Sequence, residues 1–256
     1  MAEKRRLFIK PNRLRDEIDS NGRLILTSNE SHYLFRVMRM RSEDLLEVID
    51  GNGHLWNAKI VEKKTIKFTD GFDKPLEVVL RQRPLICIAV VIPKNGFENF
   101  LQMSCEIGVD IIQPLISKRS VVKECRYEKT TRFQKIIHEA VEQSERLWSP
   151  EVMKVLTFQN WIKNLHSEAQ IGFAATRIED LQDCVNWIKE TPHEINQVWM
   201  VIGPEGGWNK DEEELAFDAG FVGVSMGETI LRTSTAAVSA CQLITSWRRL
   251  KSSFKD

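Results

Sequence analysis

The sequence lacks the cysteine and histidine spacings of disulfide-bonded and metal-binding proteins. Its five cysteines include no CxxC pair, and its five histidines form no HExxH motif. These absences argue against a disulfide framework and against a structural metal. No segment approaches the roughly 18 consecutive apolar residues of a membrane-spanning helix, and the charged first residues, MAEKRRLFIK, contain no apolar core of a secretory signal. We therefore expect a soluble, cytoplasmic protein that needs neither a metal nor a membrane.

An excess of charge of either sign is absent as well. The chain has 36 basic and 36 acidic side chains, so its total charge does not indicate nucleic-acid binding. The distribution is uneven, because residues 1–41 hold ten basic and five acidic side chains, whereas residues 205–218 hold six acidic side chains and one lysine. The basic segment is a candidate surface for a polyanion such as RNA. On charge alone, a merely solvated basic terminus is an equally good interpretation.

Residues 1–73 have the pattern of a small β-rich domain. Two apolar strands flank the turn Asp50-Gly51-Asn52-Gly53, and this arrangement is a hairpin signal. Upstream, a helix is predicted from Glu30 to about Met40, with Asn29 as its N-cap. The turn-forming stretch 69–75 is the best candidate for a linker. We interpret the segment before it as a domain of barrel type.

Residues 74–256 alternate between apolar strands and amphipathic helices. Residues 85–92 form an uninterrupted apolar run, which is typical of a strand covered on both faces. A helix is predicted over 96–106 with Gly108 as its C-cap. Further elements are predicted as strands at 111–116, 171–175, 198–202 and 222–226 and as a long helix at 129–146. This alternation predicts an α/β domain with a mostly parallel sheet.

The most informative segment runs from Val201 to Glu212. An apolar strand enters a turn with the sequence Gly203-Pro204-Glu205-Gly206-Gly207, and Asn209 with Glu212 fits a capping box at the start of a helix. Glycines allow the backbone to approach a ligand at the carboxyl end of a strand, where open α/β sheets bind ligands. The acidic start of the helix would repel a phosphate, so a neutral or cationic ligand is expected. The alternative is a tight connection without a ligand.

A second segment of interest runs from Met226 to Ala237. It follows another predicted strand and leads into a helix of small residues, for which Thr233 or Ser234 can serve as N-cap. The apolar Ile230 and Leu231 either line a pocket for a group of adenine size or anchor the loop on the core. Without further context, the anchoring role is the better interpretation.

Together the two segments resemble the hallmark motifs of the 16S ribosomal RNA uridine N3-methyltransferase family, which belongs to the SPOUT superfamily. The matching motifs are Ile202-Gly203-Pro204-Glu205-Gly206-Gly207 and Met226-Gly227-x-x-Ile230-Leu231-Arg232-Thr233-x-Thr235-Ala236. Further matches extend over nearly the whole chain in the same order: Arg6-Leu7-Phe8, His32, Arg36-Val37-Met38-Arg39, Asp50-Gly51, Glu106-x-Gly108-Val109, Arg119-Ser120 and Glu139-Ala140-x-Glu142-Gln143-Ser144.

The resemblance implies a small N-terminal PUA-like β-barrel that binds RNA, over residues 1–73. It implies a C-terminal SPOUT domain with a deep trefoil knot over residues 74–256, an exception to the rule that folds are unknotted. It also implies a homodimer that methylates 16S ribosomal RNA in the small ribosomal subunit, with S-adenosyl-L-methionine (SAM) as cofactor. The cofactor would be bound by Thr176, Ile202, Gly203, Glu205, Gly206, Gly207, Met226, Gly227, Ile230 and Leu231.

Five arginines are candidates for the reaction and for the RNA. N3 of uracil carries an imide proton, and a nearby cation would stabilise the anion that its loss creates. Arg232 is the first candidate for this catalytic role and Arg6 the second, with phosphate contact alone as an equal alternative for Arg6. Arg36 and Arg39 lie three residues apart on one helix face, which favours contact with RNA phosphates. Arg119, together with Arg6, completes the predicted RNA-binding set.

Two positions depart from the family pattern. Thr229 stands where the family usually has Arg, and Ser234 stands where it usually has Glu. Arg232 is retained, but an acid or base role of the usual Glu cannot apply here. Two alternative functions therefore stay open. One is a SPOUT methyltransferase for another RNA nucleotide, and the other is a non-catalytic RNA-binding or ribosome-assembly protein that retains the fold.

Overall fold

The computed structural model describes residues 5–62, 64–124, 127–165, 169–175, 178, 180–192 and 194–252. The chain forms two compact units. The first contains the residues up to Arg81 together with His138–Ser149, and the second contains Gln82–Ile137 and the residues from Pro150 onward. Within the described ranges, no helix is long and apolar enough to cross a membrane.

The first unit is built on a six-stranded, mostly antiparallel sheet in the order β1-β3-β4-β5-β2, with β6 paired to β4. Its elements are β1 (Arg6–Phe8), α1 (Pro11–Asp16), β2 (Arg23–Ile25), α2 (Ser28–His32), a π-helical turn (Tyr33–Val37), β3 (Leu45–Ile49), β4 (His54–Glu62), β5 (Thr65–Phe68) and β6 (Glu77–Val78). The predicted hairpin is confirmed, because β3 and β4 pair antiparallel on either side of the Asp50–Gly53 turn. Alternate residues of β4 and β5 are buried in a core that includes Val48, Ile60 and Ile66.

The helix predicted from Glu30 corresponds to α2, and its predicted start was wrong by two residues. Thr27, not Asn29, caps α2, since the Thr27 hydroxyl accepts a hydrogen bond from the Glu30 amide at 3.3 Å and the Glu30 carboxylate accepts one from the Thr27 amide at 2.8 Å. This reciprocal pair is a capping box. The helix is also shorter than predicted, because α2 gives way to a π-helical turn at Tyr33 and this turn ends at Val37. Such turns are rare and occur frequently at functional sites.

The second unit contains an eight-stranded parallel sheet in the order β10-β8-β7-β13-β11-β14-β12, with β9 paired to β8. Its elements are β7 (Leu85–Val91), α3 (Phe97–Ile107), β8 (Ile111–Ile116), α4 (Tyr127–Gln143), β9 (Glu151–Val152), β10 (Leu156–Thr157), α5 (Phe158–Lys163), β11 (Ala169–Ala174), β12 (Gln182–Asp183), α6 (Cys184–Glu190), β13 (Gln197–Ile202), α7 (Lys210–Asp218), β14 (Val222–Ser225) and α8 (Thr233–Ser252). The predicted α/β class with a mostly parallel sheet is confirmed.

Helices cover both faces of this sheet. Every residue of β7 is buried, as its apolar sequence predicts. One face packs against α5 and α7 in a core that includes Phe158, Trp161, Trp208 and Phe221. On the other face, α8 packs on β7 and β13, and α3 packs on α8. A buried ion pair between Arg248 of α8 and Asp110 anchors that second layer. The prediction of Gly108 as a helix C-cap is also confirmed, because it follows α3 with a left-handed φ of 112°.

The last residues of α4 belong to the first unit, where they contact β1. The Phe8 amide donates to the Glu142 carboxylate at 2.7 Å, and the Phe8 ring stacks on His138 at 4.2 Å between ring centroids. Burial raises the pKa of Glu142 to about 7 and lowers the pKa of His138 to about 4. Both residues therefore titrate far from the usual range of their types, because they are removed from water.

Candidate active site

A cavity of about 850 Å³ lies at the carboxyl edge of the parallel sheet. It is lined by the residues that follow four neighbouring strands, at positions 93–95 after β7, 174–175 at the end of β11, 202–208 after β13 except Gly206, and 224–234 after β14. Open α/β sheets bind ligands at this edge, and the volume is in the range of small-molecule sites, roughly 300–1,000 Å³. The two segments that the sequence singled out therefore meet in one cavity.

The turn from Gly203 to Trp208, here called the glycine turn, is fastened to the loops around it. The Thr233 hydroxyl donates to the Gly203 carbonyl at 3.0 Å, which ties the start of α8 to the turn. The Lys94 amide donates to the Glu205 carboxylate at 3.0 Å, which ties in the loop after β7. Within the turn, the Gly207 amide donates to the Pro204 carbonyl at 2.9 Å. The first two bonds join segments far apart in the chain and the third closes the turn itself, so the turn has a defined position.

The buried ring of Trp208 attaches the glycine turn to the core. Its ring is buried between Phe158 and Phe173, with centroids at 4.6 and 4.9 Å, and its indole N–H donates to the Ala174 carbonyl at 3.1 Å. The ring lies so close to Gly203 that a Cβ there would be 2.7 Å from Trp208 Nε1. Gly203 is thus required by the approach of the indole, and Trp208 is a packing residue of this loop.

The loop from Met226 to Arg232 forms the opposite wall. Gly227 has a φ of 125°, a conformation that residues with a Cβ rarely adopt. Ile230 lines the cavity and is 81% exposed, so it does not anchor the loop on the core, and the anchoring interpretation was wrong for this residue. Arg232 lines the cavity next to Thr233, the first residue of α8. Ser234 lines it as well and is half-buried.

Charged side chains of both signs surround the cavity. The lining residues include the carboxylates of Asp180, Glu205 and Glu228 and the cations Lys94 and Arg232. Sequence analysis had not selected Lys94, Asp180 or Glu228. The position of Lys94 just after the buried strand β7 was the available signal, because this edge collects the residues that follow each parallel strand.

The predicted site residues are not all together. Of the predicted cofactor-binding residues, Ile202, Gly203, Glu205, Gly207, Met226, Gly227, Ile230 and Leu231 line the cavity. Gly206 faces Arg119 instead, since a Cβ there would contact the Arg119 side chain at 3.4 Å. Thr176 lies outside the described residues.

The other predicted arginines occupy different settings. Arg36 and Arg39 are exposed in the first unit, Arg36 in the π-helical turn and Arg39 with a φ of 54° just after it. Arg6 is in the same unit, but its side chain is only 4% exposed. It donates to the Glu47 carboxylate at 2.6 Å and to the Glu145 carbonyl. An RNA phosphate could reach Arg6 only by displacing these partners.

Comparisons with known proteins agree with this geometry. Residues 81–245 match the RNA methyltransferase domain family, and residues 26–70 match the RNA methyltransferase PUA domain family. A ribosomal RNA small subunit methyltransferase E from a Synechocystis species is 33% identical over 219 residues, which are 84% of this chain and 70% of that protein. The chain belongs to the ribosomal RNA small subunit methyltransferase E family. The resemblance read from the two motifs is thereby confirmed.

Other members of the methyltransferase E family match over almost their full length. The protein from Buchnera aphidicola of Acyrthosiphon pisum is 30% identical, with 94% of each chain covered. The crystal structure of the Neisseria gonorrhoeae member bound to SAM is 26% identical, covers 95% of this chain and 98% of its own, and has a TM-score of 0.78. The cofactor in that structure is the one predicted here from the sequence.

Proposed function

We propose that this protein transfers a methyl group from SAM to N3 of a uridine in 16S ribosomal RNA. The observation that carries the proposal is the cavity in which the glycine turn and Arg232 meet. The names of the related proteins support the ribosomal substrate. Because that substrate is in the small ribosomal subunit, the reaction is assigned to the cytoplasm.

The cavity suits SAM in shape and charge. The approach of Trp208 to Gly203 leaves backbone, not side chain, at the cavity wall. Three carboxylates against two cations favour a ligand with a positive charge. The exposed Ile230 offers an apolar surface to an aromatic ring. Gly203, Glu205, Gly207 and the Met226–Leu231 loop would hold the cofactor, which supplies an electrophilic methyl group when bound.

The protein's own contribution is to stabilise the uracil anion and to orient it. If the imide has a pKa of about 10, its ionisation near pH 7 costs roughly 4 kcal/mol. The guanidinium of Arg232, which is exposed at the cavity, would offset part of this cost by its charge. Water can accept the proton, so the absence of the family's Glu at position 234 does not prevent the reaction. Correct alignment of the reacting atoms provides a further share of the rate.

The finer organisation is proposed with the function. The sheet of the first unit would be a PUA-like barrel over residues 1–73 that contacts RNA phosphates through Arg36 and Arg39. Residues 74–256 would form the SPOUT domain with its trefoil knot, and two copies would associate as a homodimer. The matches to a PUA domain and to an RNA methyltransferase domain support this division.

Single-turnover methyl transfer to purified small subunits tests the proposal, with mapping of the modified nucleotide. The native chain should form N3-methyluridine. Ser234→Glu should change the rate by about tenfold or less, which is under ~1.4 kcal/mol, while Arg232→Ala should reduce it far more. Methylation of another nucleotide would favour the first alternative function. A native chain without activity beside an active Ser234→Glu variant would favour the non-catalytic one.

A further inference from the structure

The loop that follows β8 is hydrogen-bonded to the glycine turn on the side away from the cavity. Arg119 Nη1 donates to the Trp208 carbonyl at 2.8 Å and lies 3.4 Å from the Gly206 carbonyl. Gly206 is the one residue between Ile202 and Trp208 that does not line the cavity, and its Cα faces the Arg119 side chain. The guanidinium therefore holds the outer side of a turn whose inner side forms the cavity wall.

Neighbouring bonds fix Arg119 in this position. The Lys118 amide donates at 2.8 Å to the carboxylate of Glu212, which is 1% exposed and belongs to the capping box of α7. The Lys118 ammonium pairs with Asp211, and this pairing raises the pKa of Lys118 and lowers that of Asp211. The Ser117 amide donates to the Ser120 hydroxyl at 2.7 Å. The loop is thus built around the turn and the start of α7.

We propose that Arg119 is a positioning residue for the cofactor turn. The sequence had suggested it as an RNA contact, but its guanidinium forms charge-assisted hydrogen bonds to two backbone carbonyls of the turn, and such bonds are stronger than neutral ones. Gly207 lies between those carbonyls with a φ of 70°, so the two bonds hold the turn on either side of its left-handed residue. Arg119 acts on SAM through the turn, an inference that rests on the proposed function.

Calorimetry on the full chain without RNA tests this role, with SAM as the ligand. Arg119→Ala should weaken SAM binding about tenfold, and Arg119→Lys, which keeps a single donor group, should weaken it less. Lys123→Ala is the matched control, because Lys123 is a cation of the same segment that donates to the Lys118 carbonyl and not to the turn. It should bind SAM like the native chain.

Two further measurements distinguish a positioning role of Arg119 from a general loss of native structure and from a contact with RNA. In methyl transfer, Arg119→Lys should raise the KM for SAM more than it lowers kcat. The salt dependence of RNA binding should stay unchanged. Unaltered SAM affinity in both Arg119 variants, with a salt slope lower by about one unit, would establish Arg119 as a phosphate contact and overturn the proposal. If Arg119→Ala does not fold, the SAM affinity of Arg119→Lys alone tests the positioning role. Failure of the native chain to bind SAM would instead defeat the proposed function.

Discussion

A methyl group added at Gly203 tests how rigidly Trp208 holds the cofactor turn. In Gly203→Ala, the new Cβ would lie 2.7 Å from Trp208 Nε1 and 2.8 Å from Cε2, distances that Cβ atoms do not tolerate. The indole cannot retreat, because Phe158 and Phe173 enclose it and Ala174 accepts its N–H. Overpacking of this kind costs about 1–3 kcal/mol, and loss of the Ala174 bond adds about 1. The free energy of unfolding should fall by about 2–4 kcal/mol.

Urea unfolding of the native chain and the variant measures this loss, and calorimetry with SAM measures its effect on the site. If the glycine turn relieves the clash by moving, SAM affinity falls tenfold for each ~1.4 kcal/mol of lost binding. Gly206→Ala is the matched control, since its Cβ would meet Arg119 at an acceptable 3.4 Å. Addition of Trp208→Phe should reduce the penalty at Gly203, so the two changes should be non-additive. Native-like stability and affinity of Gly203→Ala would refute the reasoning.

Three other outcomes are expected. Changing Arg36 and Arg39 to Ala should lower the slope of log affinity for RNA against log salt concentration by about one unit per lost phosphate contact. The affinity for SAM in calorimetry should not change. An unchanged slope would mean that this surface does not contact RNA. Asp110→Ala should lower the free energy of unfolding, measured in urea, by about 3–5 kcal/mol, because it removes the carboxylate that pairs with the buried guanidinium of Arg248. A loss below about 1 kcal/mol would contradict this reasoning. The folded pKa of Glu142, about 7, lies above its ordinary value of 4.5, so the stability it contributes is present below pH 4.5 and is lost as pH rises through 7. Glu142→Gln should therefore be more stable than the native chain at pH 8 by up to ~3 kcal/mol, with little difference at pH 4, in urea unfolding at both pH values.

Patterns local to a few residues were sufficient to predict much of the fold. The apolar run 85–92 predicted the buried strand β7, and Asn209 with Glu212 predicted the start of α7, where the expected capping box is present. The start of α2 was placed two residues late because Asn29 is also a good cap by type. The spacing of Thr27 and Glu30, a capping box visible in the sequence, would have corrected it.

Features that depend on distant contacts could not be predicted. Arg119 and Trp208 are far apart in the chain, so nothing local indicates that one holds the carbonyl of the other. The same holds for Arg6, whose burial depends on Glu145. Ile230 shows the converse, since an apolar residue in a loop was expected to be buried and is exposed at the cavity. Only tertiary structure decides such cases.

The place of β13 in the sheet has a consequence for the newly synthesised chain. β13 lies between β7, which ends at Val91, and β11, which ends at Ala174, yet it is made after both. Until Gln197–Ile202 leave the ribosome, β7 lacks a partner on one edge and β11 lacks one on both edges, because its other neighbour, β14, is made later still. Such edges can pair with other chains. Pairings between segments this distant in sequence also form slowly. The strand that joins β7 to β11 continues directly into the glycine turn, so a chain interrupted before Gln197 lacks the cofactor site as well as the middle strand of its sheet.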